Sequence, residues 1–380
     1  MTETARTTER DSAGIRIVEH RGDPRSLSWH VDSVARVDIG GETEDTTQLL
    51  FGVTRALRLA DGRIVVGNGG TNELRFFDAT GRFMRSAGRD GEGPGEFRGL
   101  GTLFPYRGDS LLVTDNRLRR LSVFDDHGAF GRSFTIQTSD ALPFATVIGV
   151  FDDGTLFGQG FVQAGEEVPS GLRRYDNTFY HLDTLAGLLT PLSTFPGTET
   201  YFEAFDRGFR VHHALFGRST RYLAAGDRFY IAANDTYEID GYRKDGTVDR
   251  VVRRTDAERP VTDQDVAAEH VRREKSARSD QARSDAARIF EQLPRPATFP
   301  AYGAVIVDDS LNLWVGDYVP GSTAPTVWTV FNSEGRMLGT IPNPPGFMPD
   351  HIGHDFLLGR WRDALDVEHL RLYALIKQGR

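Results

Sequence analysis

No cysteine occurs among the 380 residues, which removes disulfides, thiolate nucleophiles and cysteine-bound zinc while leaving the compartment open. Long apolar runs are missing too. No window approaches the roughly 18 apolar residues of a membrane span, and the opening MTETARTTERDSAGIRIVEH holds no apolar core of signal-peptide length. As written, the sequence shows neither leader nor span, and localisation stays open. Basic residues are not in excess: 45 Lys and Arg against 54 Asp and Glu give a net charge of −9. Such a surface has no general attraction for a phosphate backbone or an anionic bilayer, so nucleic acid is not an expected partner. The Gly-x-Ser-x-Gly pattern is absent, leaving only dispersed serines and threonines as hydroxyl nucleophiles. Methionine is scarce, with 4 against 25 phenylalanines, a balance that points to a β-rich interior.

What is present is a repeat. LRLADGRIVVGNGGTNELRFFDATGRFMRSAG (57–88) lies over LFPYRGDSLLVTDNRLRRLSVFDDHGAFGRSF (103–134), each with an apolar strand, an acidic-glycine turn, a second strand, a polar loop and a hairpin. The grammar returns at 147–184, 221–252 and 304–341, and a sixth unit, 352–377, has only three strand-like runs. Short β-prone runs at this period predict an all-β, six-bladed propeller of four-stranded blades. The last unit lacks an outer strand, and SVARVDIG (33–40) is the expected donor that closes the ring and removes an exposed edge. Residues 1–380 then form a single propeller domain, with 1–32 as an N-terminal extension.

The stretch GRDGEGPGEF (88–97) is rich in glycine but is followed by a strand rather than a Gly-Lys-Ser/Thr helix start, and Glu92 and Glu96 repel phosphate. It reads as a corner between blades, with Phe97 filling the space between two sheets. GRDGEGPGEFRGLGTLFPYRGDSLLVTDNRLRRLSVFDDHGAFGRSF resembles an NHL-type repeat, and the likeness is good over about 50–136. DSAGIRIVEH and VEHLRLYAL further resemble a group of bacterial six-bladed propeller proteins that are mostly exported.

One segment breaks the pattern. Residues 261–293 show no strand alternation, and Thr262 three residues before Asp265 reads as a helix cap, predicting helix from about 263 to 292. This insert between blades 4 and 5 is expected to act as a lid. In a four-stranded blade, the crossings between blades and the loops from second to third strands open on one face. That face is where a site is expected, because long loops on a rigid scaffold gather there.

Three constellations belong to it. Asn68, Asp115, Asn234 and Asp317 occupy comparable second-to-third-strand loops, and either converge as oxygen ligands for calcium or serve their own turns; the NHL resemblance implies both. His212, His213, His351 and His354 are candidate acids or bases, although no spacing among them matches a metal motif. Arg55 and Arg221 follow threonines at matching positions on strands expected to line the channel; they either face it and, with Tyr302, are candidates to bind an anionic substrate, or face outward as a ladder of surface charges. Kinship with other six-bladed enzymes implies lactone or ester hydrolysis or a lyase reaction in an axial pocket. The alternative is a non-catalytic propeller that binds a ligand, a glycan or a protein.

Overall fold

The computed structural model describes residues 6–41, 45–136, 145–161, 168–183, 188–255 and 258–377. Its strands form six blades, at residues 53–87, 100–135, 145–196, 220–254, 304–342 and 348–377, the last completed by Val37–Gly40. In that closure Val37 to Gly40 pair antiparallel with Leu372 to His369, so the N-terminal strand supplies the missing outer strand of blade 6. In blades 1, 2 and 5 the hairpin between third and fourth strands is set by one acidic or amide side chain. Asp78, Asp125 and Asn332 each accept backbone N–H groups two and four residues on, a local bond that competes successfully with continued strand.

The core is distributed as one apolar cluster per blade interface. Between blades 3 and 4, for example, Phe229 stacks with ring centroids 4.7 Å from Phe157 and 4.9 Å from Tyr242. Phe97 is fully buried and stacks 5.7 Å from Phe124, in the cluster shared by blades 1 and 2. The glycine-rich stretch before it does form the corner: Gly95 has φ +75° and Gly91 φ +156°. A Cβ on Gly91 would lie 2.2 Å from the Glu96 carboxylate, so no other residue fits there without displacing that side chain.

The N-terminal extension is more structured than its sequence announces. Arg6–Ser12 and Ile15–Arg21 form a hairpin whose second strand adds in parallel to Val248–Arg254, the outer strand of blade 4. The chain then bridges Ser26 to Thr340 on blade 5 and pairs Trp29–Val31 with Lys377–Leu375 on blade 6. Blades 4, 5 and 6 are thus strapped from outside before Val37–Gly40 closes the ring.

The insert lies between blades 4 and 5, as two helices rather than one. α1 (Asp263–Ser276) begins with the expected capping box, in which Thr262 accepts the Asp265 N–H and Asp265 accepts the Thr262 N–H. Ser279 caps a second start by accepting the Ala282 N–H, and α2 (Asp280–Phe290) follows. Val266, Ile289, Phe290 and Leu293 pack on Tyr201, Leu215, Phe216 and Phe299, whereas Val271 is exposed. A three-stranded accessory sheet, Gly171–Arg173, Thr200–Phe205 and Gly208–His213, lies beside it. No helix among the described residues is long and apolar enough to cross a membrane.

Candidate functional site

The inner strands of all six blades surround an axial cavity of about 780 Å³. Its lining runs from Arg55 and Phe104 down to the first-to-second-strand loops at 107–109, 151–154 and 308–311. Those loops belong to the face opposite the blade crossings. No residue of 261–293 lines this cavity; the insert instead borders a separate cavity of about 920 Å³ that His212 and His213 also line.

Irregular strands aim the charged groups. Arg360 pairs across from Met348, and the ladder slips between Pro349 and His351, leaving Asp350 as the extra residue of a β-bulge. A second bulge on the blade 1 inner strand lies between Val53 and Arg55. These two irregularities bring Asp350, Arg55 and Arg360 to one wall of the cavity. The Asp350 side chain is only 5% exposed. Arg360 reaches a single oxygen of it, with Nε 3.1 Å and Nη2 2.9 Å from Oδ1. Oδ2 is buried and accepts no hydrogen bond, a state that ordinarily costs about 1–3 kcal/mol. Desolvation pushes the Asp350 carboxyl above its ordinary value, against the opposing pull of Arg360, Arg55 and the Ala56 N–H.

Arg55 is partly exposed and has one hydrogen bond among the described residues, to the Leu103 carbonyl at 3.4 Å, with its guanidinium 5.3 Å from the Phe104 ring centroid. Enclosure lowers its pKa by desolvation, with Asp350 acting in the other direction. His351 also lines the cavity. Its Nδ1 accepts the Arg58 N–H at 3.1 Å and its Nε2 lies 3.0 Å from Asp309 Oδ1. The neutral ring must then carry its proton on Nε2, and no lone pair is left to act as a base. Burial works to raise the Asp309 carboxyl, but the His351 hydrogen bond, with His354 and Lys377 nearby, holds it below its ordinary value.

The remaining candidates separate. His212 and His213 sit on the accessory sheet, where His212 Nε2 is 3.0 Å from Glu203, itself paired with Arg288 of α2. His354 meets the Ser310 hydroxyl beside the opposite mouth. Four histidines on two faces do not make one catalytic cluster. Arg221 is exposed and donates to the Gly303 carbonyl at 3.1 Å, outside the cavity lining. Tyr302 is a core residue of the interface between blades 4 and 5, its hydroxyl donating to the Glu238 carbonyl at 2.9 Å. It is not placed to hold a substrate.

Asn68, Asp115 and Asn234 spend their side-chain oxygens on backbone, and Asp317 on backbone and the Thr326 hydroxyl. Asn68 accepts from Phe51, Asp115 from Arg98, Arg117 and Leu118, and Asn234 from Ser219, so three blades use the same latch between a crossing and a loop. Asp317 instead accepts from Thr326 and Val327. Of the two readings these residues permit, the turn-forming one matches these bonds. Among the described residues, the group with metal-like spacing of carboxylates and histidine is the hairpin turn Asp125, Asp126 and His127.

Asp350 and Arg360 were missed from sequence because a one-residue bulge changes which side chain faces the axis. Pro349 inside an inner strand is the signal that marks the bulge.

Comparison with known proteins agrees with this architecture. Residues 39–104 match the DUF5128 family model, described as a 6-bladed beta-propeller, while no curated protein matches the chain. A DUF4221 family member from Bacteroides vulgatus superposes with a TM-score of 0.54 at 12% identity, over 93% of this chain and 99% of that one. A protein from Bacteroides fragilis gives 0.51 at 12% identity, over 95% and 100%. Virginiamycin B lyase from Staphylococcus aureus gives 0.43 at 10% identity, over 92% and 100%, a likeness too distant to bear on activity. The chain is a six-bladed β-propeller, similar at residues 39–104 to the DUF5128 propellers.

Proposed function

We propose that the axial cavity is the active site of an enzyme that moves a proton on a small organic substrate, with Asp350 as the acid or base. The observation that carries this reading is the buried Asp350 Oδ2, which accepts no hydrogen bond, on a carboxyl that Arg360 holds by its other oxygen. A carboxyl raised by desolvation binds a proton more strongly than an exposed one, which is what a base working near neutral pH requires. Arg55 then stands ready to stabilise negative charge that develops on the substrate as the proton leaves. No serine, threonine, cysteine or lysine lines the cavity among the described residues, so the reading favours proton abstraction with elimination, or water-mediated opening of an ester or lactone, over attack by one of those nucleophiles. In the elimination form, the C–H pair becomes the new double bond, its proton goes to Asp350 Oδ2, and the leaving group departs with its bonding electrons.

The half-buried apolar walls of the cavity equally favour a second reading, capture of a ligand without turnover. Both are tested by following a panel of small esters, lactones and β-substituted acids with wild-type protein and Asp350→Asn. The catalytic reading expects turnover of at least one compound and a loss of at least a hundredfold in the variant. Turnover that survives Asp350→Asn unchanged overturns it, and binding without any turnover across the panel leaves the capture reading.

A further inference from the structure

The cavity has two chemically different walls. Arg55, Arg360 and Asp350 come from blades 1 and 6, and two guanidiniums against one carboxylate leave that wall with an excess of one positive charge. Across from it, the inner strands of blades 3, 4 and 5 contribute Ile148, Val150, Leu223, Ala225, Val305 and Val307, each half-buried and lining the cavity. Apolar side chains left partly uncovered inside a channel gain from an apolar occupant. Arg360 is already bound to Asp350 Oδ1, so Arg55 is the guanidinium with capacity for a further anion.

From these two walls we infer the class of ligand: an amphipathic monocarboxylate, its carboxylate on Arg55 and its hydrocarbon body against blades 3 to 5. This rests on the axial cavity being the site, and it deepens the proposal above by orienting the substrate. With the carboxylate on Arg55, the head of the ligand shares the wall that carries Asp350. Excess charge at the polar wall selects one anionic head, and the apolar wall discriminates against short or polyhydroxylated acids, which would forfeit hydration there. Arg107, Asp109, Asp152, Asp308 and Asp309, which line the cavity toward its mouth, together carry net negative charge and bear on entry rather than on this choice.

Straight-chain alkanoates from propanoate to heptanoate, with heptanamide as the uncharged control, test the inference by calorimetry on the full chain. Affinity is expected to rise about threefold to fourfold per methylene, and heptanamide to bind at least tenfold more weakly than heptanoate. Arg55→Met should erase the difference between acid and amide, and Arg55→Lys should restore part of it by returning the charge. Equal binding of acid and amide by wild-type protein, or affinity that is flat or falls with chain length, overturns the inference without reference to any variant. The outcome separates from the catalytic reading. Alkanoate selectivity together with turnover indifferent to Asp350→Asn sinks the catalysis alone, whereas turnover dependent on Asp350 with no preference for alkanoates sinks this inference alone.

Discussion

Both reaching nitrogens of Arg360 converge on one oxygen of Asp350, at 3.1 and 2.9 Å from Oδ1, so the second oxygen is buried without a partner. A fork offered to a single atom holds the carboxylate in place without neutralising its free edge. Arg360 is the largest of the influences that oppose desolvation at Asp350. Arg360→Met is therefore expected to move the Asp350 carboxyl still higher, which carboxyl-selective NMR titration would detect as a midpoint shifted upward relative to wild type. A midpoint that stays put or falls would mean that Arg360 only positions the side chain.

The same residue sets a slope in stability. A carboxyl raised on folding is protonated more readily in the native than in the unfolded chain, so its contribution to stability declines as pH rises from the ordinary carboxylate range through the raised native value. Denaturant melts across that window should show this decline in wild-type protein and its absence in Asp350→Asn. An identical pH profile in the two proteins would contradict the assignment.

His20 reports in the opposite direction. It is fully buried on the strap, its Nδ1 2.9 Å from the Thr7 hydroxyl and its Nε2 2.9 Å from the Gly335 carbonyl. Burial lowers its pKa, with Arg254 adding to the effect while the Gly335 hydrogen bond and Glu9 oppose it. Because the native pKa lies below the unfolded one, the stabilisation is complete above the unfolded value of about 6.5 and disappears as pH falls through the native value. Melting temperature should drop across that range in wild type and less in His20→Gln. Equal drops would remove His20 as the cause.

Phe229 tests where the core energy resides. It is fully buried between Phe157 and Tyr242, so Phe229→Ala is expected to cost about 3–5 kcal/mol by lost transfer and a residual cavity. Urea unfolding measures this directly, and a cost under about 1 kcal/mol would show that the interface repacks.

Much of this architecture was legible in the sequence because its signals are local. Asp78, Asp125 and Asn332 announce their hairpins by residue type, Thr262 and Asp265 announce a helix start, and the three-strand sixth unit announces a need for Val37–Gly40. Strap pairing was not legible, since all seven residues of Arg6–Ser12 are exposed and the parallel addition of Ile15–Arg21 to blade 4 spans more than two hundred residues of sequence. Nor was the cavity wall. Arg55 could be proposed from its match with Arg221, but bulges and channel direction separated the two, sending one into the cavity and the other to a carbonyl of the next blade.

The insert supplies the last test. Its neck is already closed by backbone pairing, with Pro260 bridged to Thr298 and the Val261 N–H donating to the Ala297 carbonyl at 2.9 Å, so residues 262–296 can be replaced by a short glycine-serine turn without reorienting blades 4 and 5. The deletion uncovers Tyr201, Leu215, Phe216 and Phe299, which pack beneath the helices, and should therefore lower the melting temperature and the solubility of the protein. It should not alter affinity or turnover in the axial cavity by more than about twofold, because no insert residue lines that cavity. Calorimetry and turnover assays on the folded deletion variant decide the matter. Loss of axial binding with the propeller intact would restore the insert as a lid and move the functional mouth to the crossing face, whereas unchanged binding leaves the insert a separate docked element with its own small core.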